Sequence, residues 1–410
     1  MPMPTRAARR SRLLFAGLVV LAGVLSCAAP AARPSAAPVM AADSRAAPPG
    51  GPLERLTPAV QELLDEMSVP GAVVLVDTGG DRYLRAFGTR RIGADDPVGT
   101  GDHFRIGSIT KTMTGTALLQ LAGEGRVALT DPVSKYRPEV PGGDRITLAE
   151  LLEMRSGLAS YTTQLPLNQA ADDDPARIWS PDELAAMGTA VPPVAAPGEE
   201  FYYSNTNTVL AGLVVEQVTG QDLRTVLQER VFTPLGLTST SFPAPADAAL
   251  PVPYPQGYLF GTNVSTLSSP ALPEAEQRAA AAGTLRPNDV TGLNPSWAWA
   301  AGAAISTAED LAVYAQALVD GRLLPPAVAA ERTRSVRPID PADPASPGYG
   351  LALARFGPML GHDGSLPGYQ SFMGHDPKTG ATLVVLTDLQ AAPDGRETAN
   401  TVAMKVLELL

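Results

Sequence analysis

Cysteine, histidine and lysine are scarce in this 410-residue chain, with one, three and four copies respectively. The lone Cys27 excludes a disulfide within the chain and any cluster of cysteine metal ligands. His103, His362 and His375 show no ligand spacing, so neither a metal site nor a cofactor is expected, and metal-assisted hydrolysis has no support in the residues. Positive charge is also in short supply. A formal net charge of −11 gives no electrostatic attraction to nucleic acid or to anionic lipid. With 27 Arg against 4 Lys, each lysine becomes informative, and one of the four lies in a Ser-x-x-Lys pattern.

The beginning of the chain reads as an export signal. Arg6, Arg9, Arg10 and Arg12 precede an apolar run over residues 13–25, too short for a comfortable membrane span and flanked as in a secretory signal. Cys27 follows Val24-Leu25-Ser26, a pattern similar to a bacterial lipobox, in which the cysteine is lipidated and becomes the new N-terminus. The alternative is an ordinary signal peptide cleaved later, near Ala41-Ala42. Removing the four arginines takes the charge to −15. Expected organisation is a signal peptide over 1–27, an Ala/Pro-rich tether over 28–52 and one domain over 53–410. The protein is then exported to the cell envelope. There it is either anchored to the outer face of the cytoplasmic membrane through Cys27, its only membrane contact, or secreted.

Within the domain, Val60, Leu63, Leu64 and Met67 recur at helical spacing, followed by a buried strand over 71–76 and its return over 83–88. Residues 146–154 and 206–218 read as amphipathic helices, the latter ended by Gly220. Residues 243–295 carry nine prolines and read as a long loop region. A helix is expected over 302–318, with a capping box at Ser306-Thr307-Ala308-Glu309. Strands over 349–356, 369–375 and 381–387 and a closing helix over 398–410 complete the pattern. Strands at both ends around a helical middle predict an α/β (α+β) fold, an antiparallel sheet flanked by helices with an all-helical insertion over about 111–284.

Ser108 and Lys111 stand three apart at the start of a predicted helix, so both side chains share one face. A serine hydroxyl is a weak nucleophile and needs a proton acceptor. Lys111 can serve if burial or a neighbouring cation destabilises its ammonium. Ser-x-x-Lys is also the pattern of a capped helix with an exposed lysine. Here Phe104-Arg105-Ile106-Gly107 before it and Met113 after it are core-like, so a structural use for that lysine is hard to find. Tyr203 offers a second proton-transfer hydroxyl, and Asn205 an amide that can bind a substrate carbonyl or Lys111. Taken alone, these two read as a buried tyrosine and a helix cap.

A third element competes with a decoy. Lys378-Thr379-Gly380 spells a familiar triad, but Asp376-Pro377-Lys378-Thr379-Gly380 is a tight-turn signature between two strands. His362-Asp363-Gly364-Ser365, with Pro367-Gly368 after it, fits a strand whose backbone a substrate can approach.

The ordered set Ser108-x-x-Lys111, Tyr203-x-Asn205 and His362-x-Gly364 resembles the serine β-lactamase and penicillin-binding protein superfamily. Within it the chain looks like the class C β-lactamase and D-alanyl-D-alanine carboxypeptidase branch, over roughly residues 55–410. The resemblance implies a β-lactamase/transpeptidase-like fold and a Ser108 acyl-enzyme. Lys111 and Tyr203 would share the proton transfers, with Asn205 orienting the substrate. The backbone N–H groups of Ser108 and Ser365 would form an oxyanion hole. His362, Asp363 and Gly364 would form the far wall.

Asp363 departs from the pattern, since that position is usually Thr or Ser and helps hold a substrate carboxylate. An anion pointing into the site would repel penicillins and D-Ala-D-Ala termini. Facing away, or pairing with an amine, it would not. Arg355 is a possible compensating cation. The expected function is an exported serine hydrolase of an amide or ester, with a β-lactam, D-Ala peptide or ester as small-molecule substrate. It is β-lactamase- or D,D-carboxypeptidase-like, or else an esterase or D-aminopeptidase. The alternative is a catalytically idle envelope lipoprotein that uses the fold to bind or sense peptidoglycan or β-lactams.

Overall fold

A computed structural model describes residues 51–410. The expected signal segment, the Cys27 lipobox and nearly all of the tether lie outside the described residues. The main sheet has eight antiparallel strands: β1 (Gly71–Asp77), β2 (Arg82–Gly88), β3 (Arg337–Pro338), β4 (Gly348–Gly350), β5 (Leu353–Phe356), β6 (Met359–Leu366), β7 (Tyr369–His375) and β8 (Thr382–Thr387). Their order is β2-β1-β8-β7-β6-β5-β4-β3. Residues 89–336 contribute no strand to it, so the two ends of the chain meet at the β1–β8 pairing, where Val74 faces Val385 and Leu75 faces Val384.

Helices cover both faces, which is why β1 and β8 are apolar at nearly every position rather than alternating. Ala72, Val74, Val76 and Val385 point to one face. They pack against α1 (Leu56–Glu66) and the C-terminal α5 (Thr398–Leu409), through Val60, Leu64, Val402 and Val406. Val73, Leu75, Val384 and Leu386 point to the other face, toward α2 (Thr110–Gly123), α3 (Asn205–Thr219) and α4 (Ala308–Val319). Each of the valines and leucines among these, fully buried, stabilises the fold by about 1.5 to 3 kcal/mol. Helix α2 is buried on nearly all sides, and its threonines find backbone partners: Thr114 Oγ1 donates to Ala300 O, outside the helix, at 2.9 Å, and Thr116 Oγ1 to Thr112 O, within it, at 2.7 Å.

Three expectations need correction. The single strand over 349–356 is two strands, β4 and β5, folded back at Leu351-Ala352, with Ala352 at φ 49°. The helix expected from 302 begins at Ala308, capped by Thr307, whose side chain accepts from the backbone N–H of Asp310. Residues 302–306 instead end in a short strand, Ile305–Ser306, paired with Phe104–Arg105. The loop region over 243–295 contains helices Asn263–Thr266 and Glu274–Ala281. The turn over 376–380 is as expected: Asp376 accepts from the backbone N–H of Lys378 and the hydroxyl of Thr379, both at 2.8 Å.

Candidate active site

Ser108 lies in a short 3-10 turn, Gly107–Ile109, that leads into α2, rather than in the helix itself. Gly107 has φ 51°, in the left-handed region that favours glycine, and a Cβ there would stand 2.9 Å from Ser365 N. Gly364 faces it from β6, where a Cβ would stand 2.9 Å from Ser108 N. The two glycines let the Ser108 turn lie against β6, which brings the backbone of Ser108 and Ser365 together. Ser371 on β7 fixes the approach, its hydroxyl donating to Ile106 O at 2.8 Å.

Lys111 is fully buried. Its Nζ reaches Ser108 Oγ at 2.9 Å and donates to Ala301 O at 2.7 Å. Burial lowers its pKa from the ordinary lysine value to about 7, against the opposing pull of the Asp363 charge. The face of the Tyr203 ring lies 5.0 Å from Nζ. Burial raises the Tyr203 pKa well above the ordinary tyrosine value, with Tyr349 and Asp363 adding to it, although a hydrogen bond with Ser108 works the other way. Tyr203 is therefore a neutral phenol beside the serine, able to pass a proton without becoming a phenolate.

Asn205 opens α3, and its amide donates to Thr162 Oγ1 at 2.8 Å; its backbone N–H donates to Ser160 Oγ at 3.1 Å. Lys111 takes Ser108 and Ala301 as partners, so the sequence alternative in which Asn205 binds the lysine is not realised. Asn205 instead lines the space on both sides of Ser108.

His362 is buried on β6. Its Nδ1 lies 2.6 Å from the Asp363 carbonyl oxygen, which can only accept, so Nδ1 carries the proton. Its Nε2 lies 3.0 Å from the Tyr349 hydroxyl. Asp363 follows on the same strand. Its Oδ2 accepts from Asn400 Nδ2 at 2.9 Å, and its Oδ1 is 3.4 Å from His362 Nδ1. Burial pushes the Asp363 carboxyl up, but His362 and Asn400 together outweigh it and leave the pKa below the usual carboxylate value. Arg355 does not compensate this charge. It lies on β5 between Ala354 and Phe356, which line the cavity, and its guanidinium donates to Ser346 O at 3.1 Å.

Two open cavities meet at Ser108. One is walled by neutral groups including Tyr161, Asn168, Asn263 and Trp297. The other has Tyr203, Tyr349, His362 and Asp363 on its walls. The structure thus brings together Ser108, Lys111, Tyr203, Asn205, His362, Asp363, Gly364 and Ser365. Tyr349, Ala301 and Asn400 were not singled out from the sequence. Tyr349 carried a faint signal, an aromatic between two glycines; the other two act through tertiary contacts with no local pattern.

Residues 56–408 match the family model described as Beta-lactamase. The chain belongs to the Beta-lactamase family. Its structure is similar to a D-stereospecific amidohydrolase from Streptomyces sp. at 35% identity and TM-score 0.71, covering 86% of this chain and 97% of that one. It is also similar to the D-amino acid amidase from Ochrobactrum anthropi SV3 at 27% identity and TM-score 0.71, covering 86% and 98%. Among curated relatives, Mycobacterium tuberculosis protein Rv1367c is 31% identical over 210 residues, 46% of this chain and 52% of that protein. The chain therefore spans about half the length of that relative. In this Beta-lactamase-family chain, Lys378 is an exposed turn residue that lines neither cavity, whereas His362-Asp363-Gly364 lines the one that Tyr349 also lines.

Proposed function

We propose that the protein is a serine hydrolase that cleaves an amide or ester through an acyl-enzyme on Ser108. The observation that carries this reading is the buried Lys111 amine 2.9 Å from Ser108 Oγ, with a pKa lowered to about 7. In its neutral form Lys111 takes the Ser108 proton as Oγ bonds to the substrate carbonyl carbon. Negative charge then develops on the carbonyl oxygen, where the backbone N–H groups of Ser108 and Ser365 would receive it, each contributing about 3 to 4 kcal/mol. The carbonyl re-forms as the bond to the leaving group breaks. The proton passes from Lys111 through the Tyr203 hydroxyl to the departing nitrogen or oxygen. Water repeats the sequence in reverse: it gives a proton to Tyr203 or Lys111 as its oxygen bonds to the acyl carbon, the bond to Ser108 Oγ breaks, Oγ takes that proton back, and the acid is released.

The names of the neighbours, a D-stereospecific amidohydrolase and a D-amino acid amidase, support a small amide with a D-configured centre as the substrate class to test first. Asp363 argues against a substrate whose carboxylate must approach β6. Export to the envelope, anchored through Cys27 or secreted, fits the arginine-flanked apolar run of residues 13–25.

The test is intact mass spectrometry after mixing the protein in parallel with a penicillin and with a short-chain p-nitrophenyl ester, with Ser108→Ala as control. A transient acyl adduct or turnover that requires Ser108 is expected with the ester. Ester turnover undiminished in the control would refute the reading.

A further inference from the structure

The cavity on the Tyr349 side of Ser108 has an unusual charge balance. Two carboxylates line it, Asp363 and Glu397, and no lysine or arginine does. One amide ties them together: Asn400 Nδ2 donates to Asp363 Oδ2 at 2.9 Å and to Glu397 Oε2 at 2.7 Å. A carboxylate offers about four acceptor positions, so both keep capacity after sharing one neutral donor. The Asp363 side chain is 32% exposed, so this capacity is open to a ligand.

Nearby cations are engaged elsewhere. Arg355 is turned toward Ser346 O, Arg337 pairs with Glu153 at 2.9 Å, and the Arg155 guanidinium stands 5.9 Å from the Phe201 ring centroid without lining the cavity. His362 spends its Nδ1 proton on the Asp363 backbone. Phe201, Tyr349 and Phe356 add aromatic rings to the wall, beside the aliphatic Ile339, Pro347 and Ala354. Carboxylates on a wall that carries no lysine or arginine repel an anionic ligand, while carboxylates and aromatic faces both attract an ammonium. The cavity also contains Ser108, so whatever it holds lies beside the nucleophile.

We propose that this cavity is an amine subsite, in which Asp363, with Glu397 at its rim, binds the ammonium group of an amine-bearing amide or ester positioned to acylate Ser108. The assignment rests on the acyl-enzyme reading for what happens next, but amine binding itself is measurable without turnover.

The test uses the Ser108→Ala protein and calorimetry, comparing phenylalanine amide (each enantiomer) with 3-phenylpropionamide, which differs only in lacking the amine. One enantiomer of the amine is expected to bind at least about tenfold tighter than the amine-free amide. Adding Asp363→Asn should bring that ratio to near one, and adding Glu397→Gln, at an exposed position, should lower it partway. Equal affinity for the two amides, no measurable binding of the amine, or a ratio unchanged by both substitutions would overturn the subsite. Absence of hydrolysis by the unmodified protein would sink the acyl-enzyme reading and leave these affinities as they are.

Discussion

Lys111 Nζ lies 2.9 Å from Ser108 Oγ, sealed from solvent and held from behind by the Ala301 carbonyl. Removal of this amine, as in Lys111→Ala, is expected to lower kcat/KM by about 10² to 10⁴-fold, the usual worth of a positioned proton acceptor. In the unmodified protein kcat/KM should rise with pH through about 7, since the acceptor form is present only above the Lys111 pKa. A pH–rate profile on an ester that needs no protonation of its leaving group checks this.

The same burial makes a prediction about stability. Lys111 titrates at about 7 in the fold and near the ordinary value of 10.5 when unfolded. Between those values the unfolded chain binds the extra proton, so stability rises with pH across the window and is lost as pH falls toward 7. Relative to Lys111→Met, the unmodified protein should gain on the order of a few kcal/mol between pH 7 and pH 10. Denaturant titrations of both proteins at the two pH values measure the difference.

Tyr203→Phe should discriminate between leaving groups. With its pKa held high, Tyr203 acts as a neutral hydroxyl that hands on a proton. An amide nitrogen must receive that proton and a p-nitrophenolate need not. Turnover of an anilide is expected to fall by about 10²-fold or more, and turnover of the p-nitrophenyl ester by clearly less. Equal losses on both would remove the relay role.

Arg332 ties the site to the sheet. Its buried guanidinium donates to Leu351 O at 3.0 Å, Ala352 O at 2.8 Å, Thr112 O at 3.2 Å and Thr116 Oγ1 at 2.8 Å. It thereby joins the helix that carries Lys111 to the hairpin that carries Tyr349. Arg332→Ala should destabilise the protein by about 3 kcal/mol or more, since it leaves a cavity and several buried acceptors without a donor. Thermal unfolding reports this directly. Lys378→Ala, on the exposed 376–380 turn, should change stability by no more than about 0.5 kcal/mol and leave turnover intact.

The contrast between these residues shows what was legible in the chain. Ser108 and Lys111 could be paired from their spacing because one helical turn carries both. His362 could be preferred to Lys378 because Asp-Pro-x-Thr-Gly encodes a turn locally. The fold-back between β4 and β5 was not visible. Leu351-Ala352 continues the apolar run, and the reversal at Ala352 is held by Arg332, about twenty residues earlier, and by Leu152 O, which accepts from Ala352 N at 2.9 Å. Tyr349 and Asn400 were missed for the same reason. Each acquires its role only when β4, β6 and α5 are packed together. The direction of the Asp363 carboxylate likewise depends on Asn400, which lies 37 residues away.

The central claim concerns Ser108, and steady-state turnover of a short-chain p-nitrophenyl ester by Ser108→Ala tests it most directly. Circular dichroism should show the variant folded as before, because Ser108 occupies a surface-accessible turn rather than the core. Loss of turnover to the buffer rate, with the Ser108-containing peptide acylated only in the unmodified protein, is the expected result. Turnover retained in the folded variant would contradict it.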